Sequence, residues 1–342
     1  MLARALTPFR LLAATLVVIV AAIVILLTRA SDHYLEIPDE AHPLTSLVTV
    51  QGAHDKDDGG GVYYVDVLIR RASLLESLVP AFRPSGSNLI GRQQLLGPCV
   101  SISESERFQL ERADMTLSQV KASAVALRAL GYRVPVHLGG VRVVAVSSGS
   151  HATGVLRTGD VIVAADGHRV RVREELRAIL AGHRVGERVR IGILRDGKRH
   201  TVAIRTTRDK CDPQHPIIGV IPAQALTVHF PFHIHFDLGG VGGPSAGLAF
   251  ALELMEKRGH DVDRGYKIAA TGEIQLDGKV TRIGGVREKT LGARAAHVDA
   301  FLVPVDGDNA RVAKRYAHGL RIIPVESFQQ ALRALATLPQ KT

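Results

Sequence analysis

Three stretches decide the fold: Gly-Gly-Pro-Ser-Ala-Gly at 242–247, Ala-Thr-Gly-Glu-Ile at 270–274 and Gly-Gly-Val-Arg-Glu-Lys at 284–289. Residues 239–244 are too rich in glycine for regular structure, and 246–255 reads as a helix, so Ser245 sits at or just before a first helical turn. A helix N-terminus offers unpaired N–H donors and a partial positive charge. Such donors can hold a tetrahedral oxyanion beside Ser245 Oγ. The N–H groups of Gly243 and Ser245 are the candidates. Taken alone, the segment is open to two other readings. It can be an N-cap serine ahead of a close-packed helix, or a glycine turn that holds a phosphate.

Lys289 follows Ser245 by 44 residues, on a helix expected over 286–297. The positions three and four residues away from it are Gly285, Val286 and Ala293, all small and apolar. A lysine on such a stripe is expensive unless it is neutral or paired. Burial lowers its pKa, and a neutral amine can accept a serine proton. The alternative is a lysine that reaches solvent beside Glu288.

The three segments in this order resemble the proteolytic domain of the Lon family. The similarity continues through Phe-Leu-Val-Pro at 301–304 and Ile-Pro-Val at 323–325, covering roughly 226–338. The resemblance implies peptide-bond hydrolysis by a dyad, with Ser245 the nucleophile and Lys289 the base. It makes Thr271 a supporting group whose hydroxyl orients the amine. His-Ile-His at 233–235 resembles the His-x-His strand of that family, whose histidines support rather than ligate, so no metal and no cofactor are expected. Two departures stand out. The acidic residue that precedes Gly-Pro-Ser in many Lon enzymes is Gly242 here, and the 342 residues contain no Gly-x-x-x-x-Gly-Lys-[Ser/Thr] phosphate loop. The expected substrates are therefore flexible or unfolded peptides, cleaved without ATP. Self-assembly, including a hexameric ring, is also implied by the resemblance.

Upstream, residues 138–205 form a second unit. A strand at 141–146 precedes Leu-x-x-Gly-Asp-Val-Ile-x-x-x-Asp-Gly at 156–167. A helix near 173–180 follows, then strands at 188–194 and 200–204 turned by Asp196-Gly197. This resembles a PDZ domain of the kind attached to bacterial proteases. Such domains bind an extended peptide against a sheet edge and hold its terminal carboxylate with backbone N–H groups. By position, Leu138, Gly139, Gly140 and Val141 form that carboxylate loop, since glycines let successive N–H groups point inward. A plain strand-start turn is the other reading. A C-terminal peptide ligand is the expected partner, recruited to the site or gating it.

The N-terminus carries an apolar run at 11–27 interrupted only by Thr15, with Arg4 and Arg10 before it and Arg29 after. Its length is at the short end of a membrane span, and no small-x-small cleavage site closes it. The arginine bias favours a cytoplasmic N-terminus, leaving the rest of the chain outside the membrane. Residues 32–43 read as a polar stalk. Strands are expected at 45–50, 62–69 and 227–236, a solvated turn at 54–61, and helices at 74–82 and 115–130. Cys99 and Cys211 lie on the oxidising side in this topology, where they form a disulfide or remain two buried thiols.

The net charge of +10 suits a weak attraction to anionic lipid headgroups. The basic residues are scattered and aromatics make up only 4%, which argues against a nucleic-acid platform. The expected fold is α+β: a cytoplasmic N-terminus and transmembrane helix at 1–30, a stalk and N-terminal α/β region at 31–131, a small β-rich PDZ domain at 132–210, and a Lon-type proteolytic domain at 211–342. The whole resembles the membrane-anchored, PDZ-bearing Lon-like serine proteases. Against this stand a membrane-tethered PDZ scaffold without activity and a nucleotide-binding protein using 239–247.

Overall fold

The computed structural model describes residues 2–53, 59–97 and 102–341, with side chains from Arg10 onward. Helix α1 (Leu2–Thr28) contains a 19-residue window, Arg10–Thr28, with mean hydropathy 3.1 and none of it buried. Among the described residues it is the one helix long and apolar enough to cross a bilayer. Strand β1 (Ala30–Pro38) follows at once, where a polar stalk was expected. It is the central strand of a three-stranded antiparallel sheet, flanked by β5 (Val67–Ser73) and β6 (Asn88–Gly91). Only Tyr34 and Leu35 of its apolar side chains are fully buried, too few to show an alternating pattern in the sequence. The short strands β2 (His42–Pro43), β3 (Val48–Val50) and β4 (Gly61–Tyr64) lie between β1 and β5. The expected turn at 54–61 falls mostly outside the described residues, as does Cys99 and with it the Cys99–Cys211 pairing.

The expected helix at 74–82 is instead a short helix, α2 (Leu74–Leu78), and a separate 3-10 turn, Pro80–Phe82. Helix α3 (Glu104–Ala129) starts well before the expected 115 because a capping box precedes it. Ser103 Oγ accepts from Glu106 N at 3.2 Å, and the Glu106 carboxylate accepts from Ser103 N at 2.7 Å.

The PDZ unit comprises β7 (Val136–Val146), β8 (Val161–Ala165), helix α4 (Arg173–Ala181), β9 (Arg188–Arg195) and β10 (Lys198–Arg205). Its core is aliphatic, with Val141, Val143, Ile162, Val189, Ile191 and Ile193 all solvent-excluded. Asp160, also buried, is paired with Arg195 at 2.7 and 2.8 Å. The sheet runs β10-β9-β8-β7 and is completed by β11 (Val220–Val228), from beyond the unit.

The expected strand at 227–236 is broken. β11 ends at Val228 and β12 (Ile234–Phe236) resumes after Pro231, which cannot donate to a ladder. Then come α5 (Gly247–Lys257), β13 (Lys267–Ala270), α6 (Val286–Ala295), β14 (Ala300–Pro304), α7 (Asn309–Tyr316), β15 (Arg321–Val325) and α8 (Phe328–Ala336). The main sheet has the order β2-β4-β13-β14-β15, parallel except at β2. Ile268, Ala269 and Ala270 of β13 are solvent-excluded, and such a strand needs partners on both sides. β4 supplies one of them, from Lys267↔Gly61 to Ala270↔Tyr64.

Residues 31–131 are therefore not a region apart. Leu44, Val62, Met115 and Val125 share one core with Phe250, Leu252, Leu302 and Phe328, and β3 pairs with β12. The PDZ unit is inserted between α3 and the rest of a fold that begins before it.

Candidate active site

The site lies past the carboxyl ends of two parallel strands, where side chains leave the sheet toward solvent. Thr271 follows β13 and Asp66 follows β4. Ser245 stands two residues ahead of α5, whose eleven residues are all buried, which fixes the helix in place. Its carbonyl oxygen accepts from Gly272 N at 2.7 Å and from Thr271 Oγ1 at 3.1 Å, tying the serine turn to the end of β13.

Lys289 occupies the first turn of α6 and is 4% exposed. Its Nζ lies 2.6 Å from Ser245 Oγ and 3.4 Å from Thr271 Oγ1. The structure thus brings together the three side chains singled out in the sequence. Burial pulls the Lys289 amine from its ordinary 10.5 down to about 8, against the opposing pull of the Asp66 and Glu36 carboxylates. At that value roughly a tenth is unprotonated at pH 7, against well under one in a thousand for an ordinary lysine. The neighbouring Glu288 is also buried, which raises its pKa, and it pairs with Arg287 at 2.8 Å.

Asp66 was not read from the sequence. Its carboxyl is pushed above the usual range by burial and by Asp39, and it acts electrostatically on Lys289. Asp39, His42 and Asp66 have ligating atoms within 4.8 Å of one another. The available signal was an acid directly after the strand-like Val-Tyr-Tyr-Val at 62–65.

Helix α3 holds the serine turn from behind. Glu111 O accepts from Gly243 N at 2.8 Å, and Ser118 Oγ donates to Pro244 O at 2.9 Å. The Gly243 N–H is therefore committed to Glu111 and is not turned to an oxyanion in this conformation, contrary to the sequence reading. Ser245 N–H remains the candidate donor. The same contact accounts for Gly242, since a Cβ there would stand 2.7 Å from Glu111 Cβ. Lys121 Nζ, also on α3, pairs with Glu273 at 3.1 Å, which gives the glutamate of Thr-Gly-Glu a bracing role. His233 and His235 are exposed, and His235 pairs through its backbone with Thr49.

Leu138, Gly139, Gly140 and Val141 are not a loop. They lie within β7, paired to β11.

The comparisons with known proteins fall on these two units. Residues 222–337 match the family model of the Lon protease C-terminal proteolytic domain, and residues 128–206 match that of the PDZ domain. Lon protease of Chloroflexus aggregans is 38% identical over 113 residues, 31% of this chain and 14% of that protein. Lon protease of Clostridium beijerinckii is 42% identical over 106 residues, 30% of this chain and 13% of that protein. This chain thus matches about one-seventh of the length of these curated relatives. Among solved structures, the PDZ domain of the SdrC-like protein from Listeria monocytogenes is 29% identical, covering 25% of this chain and 88% of that one, with a TM-score of 0.23. The chain combines a PDZ domain with a Lon-type proteolytic domain, behind one N-terminal apolar helix.

Proposed function

We propose that this protein is an ATP-independent serine endopeptidase acting through a Ser245–Lys289 dyad, held at a membrane by α1 with its folded part on the extracytoplasmic side. The observation that carries the reading is the 2.6 Å contact between a buried, pKa-depressed lysine and a serine at a helix start. Neutral Lys289 takes the Ser245 proton as Oγ attacks the scissile carbonyl, forming a tetrahedral oxyanion beside the Ser245 N–H. The protonated amine then gives that proton to the leaving nitrogen, and the C–N bond breaks to leave an acyl-serine. Neutral again, Lys289 activates water for deacylation. Thr271 holds the amine in line, and Asp66 stabilises its charged form between the two proton transfers.

The substrates are flexible or unfolded peptides, since the chain has no phosphate loop with which to drive unfolding. Of the two roles open to the PDZ domain, recruiting a C-terminus or governing the site, the first requires a free sheet edge at β7.

The test is casein digestion without nucleotide by the wild-type chain, Ser245→Ala and Lys289→Ala, with fragments read by mass spectrometry. Cleavage by the wild type alone supports the dyad. Equal cleavage by all three would point to a contaminant or a wrong dyad. A protein that cuts nothing across a broad peptide panel would favour the inactive scaffold.

A further inference from the structure

We propose that the peptide-receiving edge of the PDZ domain is filled in cis by β11, so that the domain braces the serine turn and does not receive free C-termini. β7 has two edges. Its inner edge pairs with β8 at Val141↔Ile162 and Arg142↔Val161. Its outer edge, where a PDZ ligand adds as an antiparallel strand, pairs with β11 from Val220↔Val146 to Val228↔Val136, also antiparallel. Most of β11 falls within the Lon-type match beginning at 222, and all of it lies outside the PDZ match ending at 206. One domain's strand thus occupies the other domain's ligand position.

The glycines expected to cradle a carboxylate have a different task. Ala225 faces Gly140 and Leu226 faces Leu138, so Gly139 is the extra residue of a β-bulge. Gly140 has φ +115°, and a Cβ on it would stand 2.3 Å from Ile162 O. Glycine is required there by the close approach of β8. Gln224 closes the groove, its Nε2 lying 3.0 Å from Gly140 O and 2.9 Å from Arg171 O, just ahead of α4.

The strand is also covered. Ile221 and Ala223 are buried with Val144 and Ala145 against Leu110 and Ala113 of α3. This is the helix whose Glu111 and Ser118 hold Gly243 and Pro244. The path from the PDZ sheet to the serine turn therefore runs through one helix. A free peptide must compete with a ladder of nine tethered residues at an effective concentration of about millimolar. If β11 binds the edge with micromolar intrinsic affinity or better, the apparent Kd of a competing peptide rises at least about 10³-fold.

The consequence for the active site rests on the peptidase reading, but the closure of the edge does not, so the test uses the full chain carrying Ser245→Ala. The probe is a pool of fluorescein-labelled octapeptides ending in Val, Leu, Ile or Ala with free carboxylates, and the control is the same pool amidated. Binding is measured with β7 and β11 locked through Arg142→Cys and Ala223→Cys, whose Cα atoms are ladder partners, before and after reduction. The cross-link is verified by mass spectrometry. The expected result is no carboxylate-dependent binding below about 100 μM in either state, and at least tenfold tighter binding once Ala225→Pro, whose N–H by alternation from Pro222 faces β7, breaks the strand. Low-micromolar, carboxylate-dependent binding to the reduced protein that oxidation abolishes would overturn the proposal. So would a folded Ala225→Pro protein that still ignores the pool. If that variant does not fold, the locked pair decides alone.

Discussion

The main sheet and the PDZ sheet each take in a strand from across the boundary of the PDZ unit, and they use it differently. The main sheet takes β4 from before the PDZ unit and places it inside, next to β13, with Val62 solvent-excluded. The PDZ sheet takes β11 from after the unit and places it at the rim. The first sheet delivers Thr271 and Asp66 past its carboxyl ends to meet Ser245 and Lys289. The second brings no reactive group to the site and reaches it only through α3. On the proposed mechanism chemistry belongs to one sheet and support to the other, so substitutions should separate into those that change rate and those that change stability.

The largest effect is expected from the dyad. Ser245→Ala and Lys289→Ala should each lower kcat at least about 10³-fold in a fluorogenic peptide assay, with the circular dichroism spectrum unchanged. Residual activity within tenfold of wild type would break the division between the sheets. Thr271→Val removes the hydroxyl that touches both Lys289 Nζ and Ser245 O, and should cost roughly 10–100-fold in kcat with little change in KM.

The pH dependence sharpens the same contrast. The proposed mechanism needs the neutral amine, so kcat/KM should climb with pH and level off above about 8. Asp66 raises the Lys289 pKa, so Asp66→Asn should move that limb to lower pH. An unmoved limb would remove Asp66 from the site's electrostatics.

Stability has its own sign. Lys289 titrates near 8 when folded against an ordinary 10.5, so between those values the unfolded chain binds the extra proton. Its contribution to stability therefore improves as pH rises through this window, and below it the buried lysine is a liability. The shift corresponds to roughly 3 kcal/mol at 1.36 kcal/mol per unit. Lys289→Met should accordingly raise the melting temperature at pH 7, with an advantage that fades between about 8 and 10.5. The smallest effect on rate belongs to the supporting sheet. Asp160→Ala breaks the Arg195 pair and should destabilise the PDZ unit by about 2 kcal/mol, yet leave kcat within twofold below the melting transition.

What the sequence made legible divides along similar lines. Ser245 and Lys289 could be singled out because their settings are written locally, in a glycine turn before a helix and in a lysine on a small apolar stripe. The PDZ unit could be read because Leu-x-x-Gly-Asp-Val-Ile-x-x-x-Asp-Gly is contiguous. Strand β1 could not, since two buried side chains among polar neighbours carry no period. Asp66 could not, because its meaning depends on β4 pairing with β13 across some two hundred residues of chain. The Gly139-Gly140 pair was read as a loop because glycine marks a bulge and a loop alike, and only the close approach of Ile162 O separates them. Gly243 looked like a free donor because nothing in the sequence announces that Glu111 lies behind it.

The most direct test of the central claim is covalent labelling with a peptidyl fluorophosphonate, followed by peptide mapping across pH 6 to 10. The account predicts a single adduct on Ser245, with a labelling rate that rises to a plateau above about 8 and is lost in Lys289→Ala. Labelling at another residue, or at Ser245 with equal speed in Lys289→Ala, would contradict it.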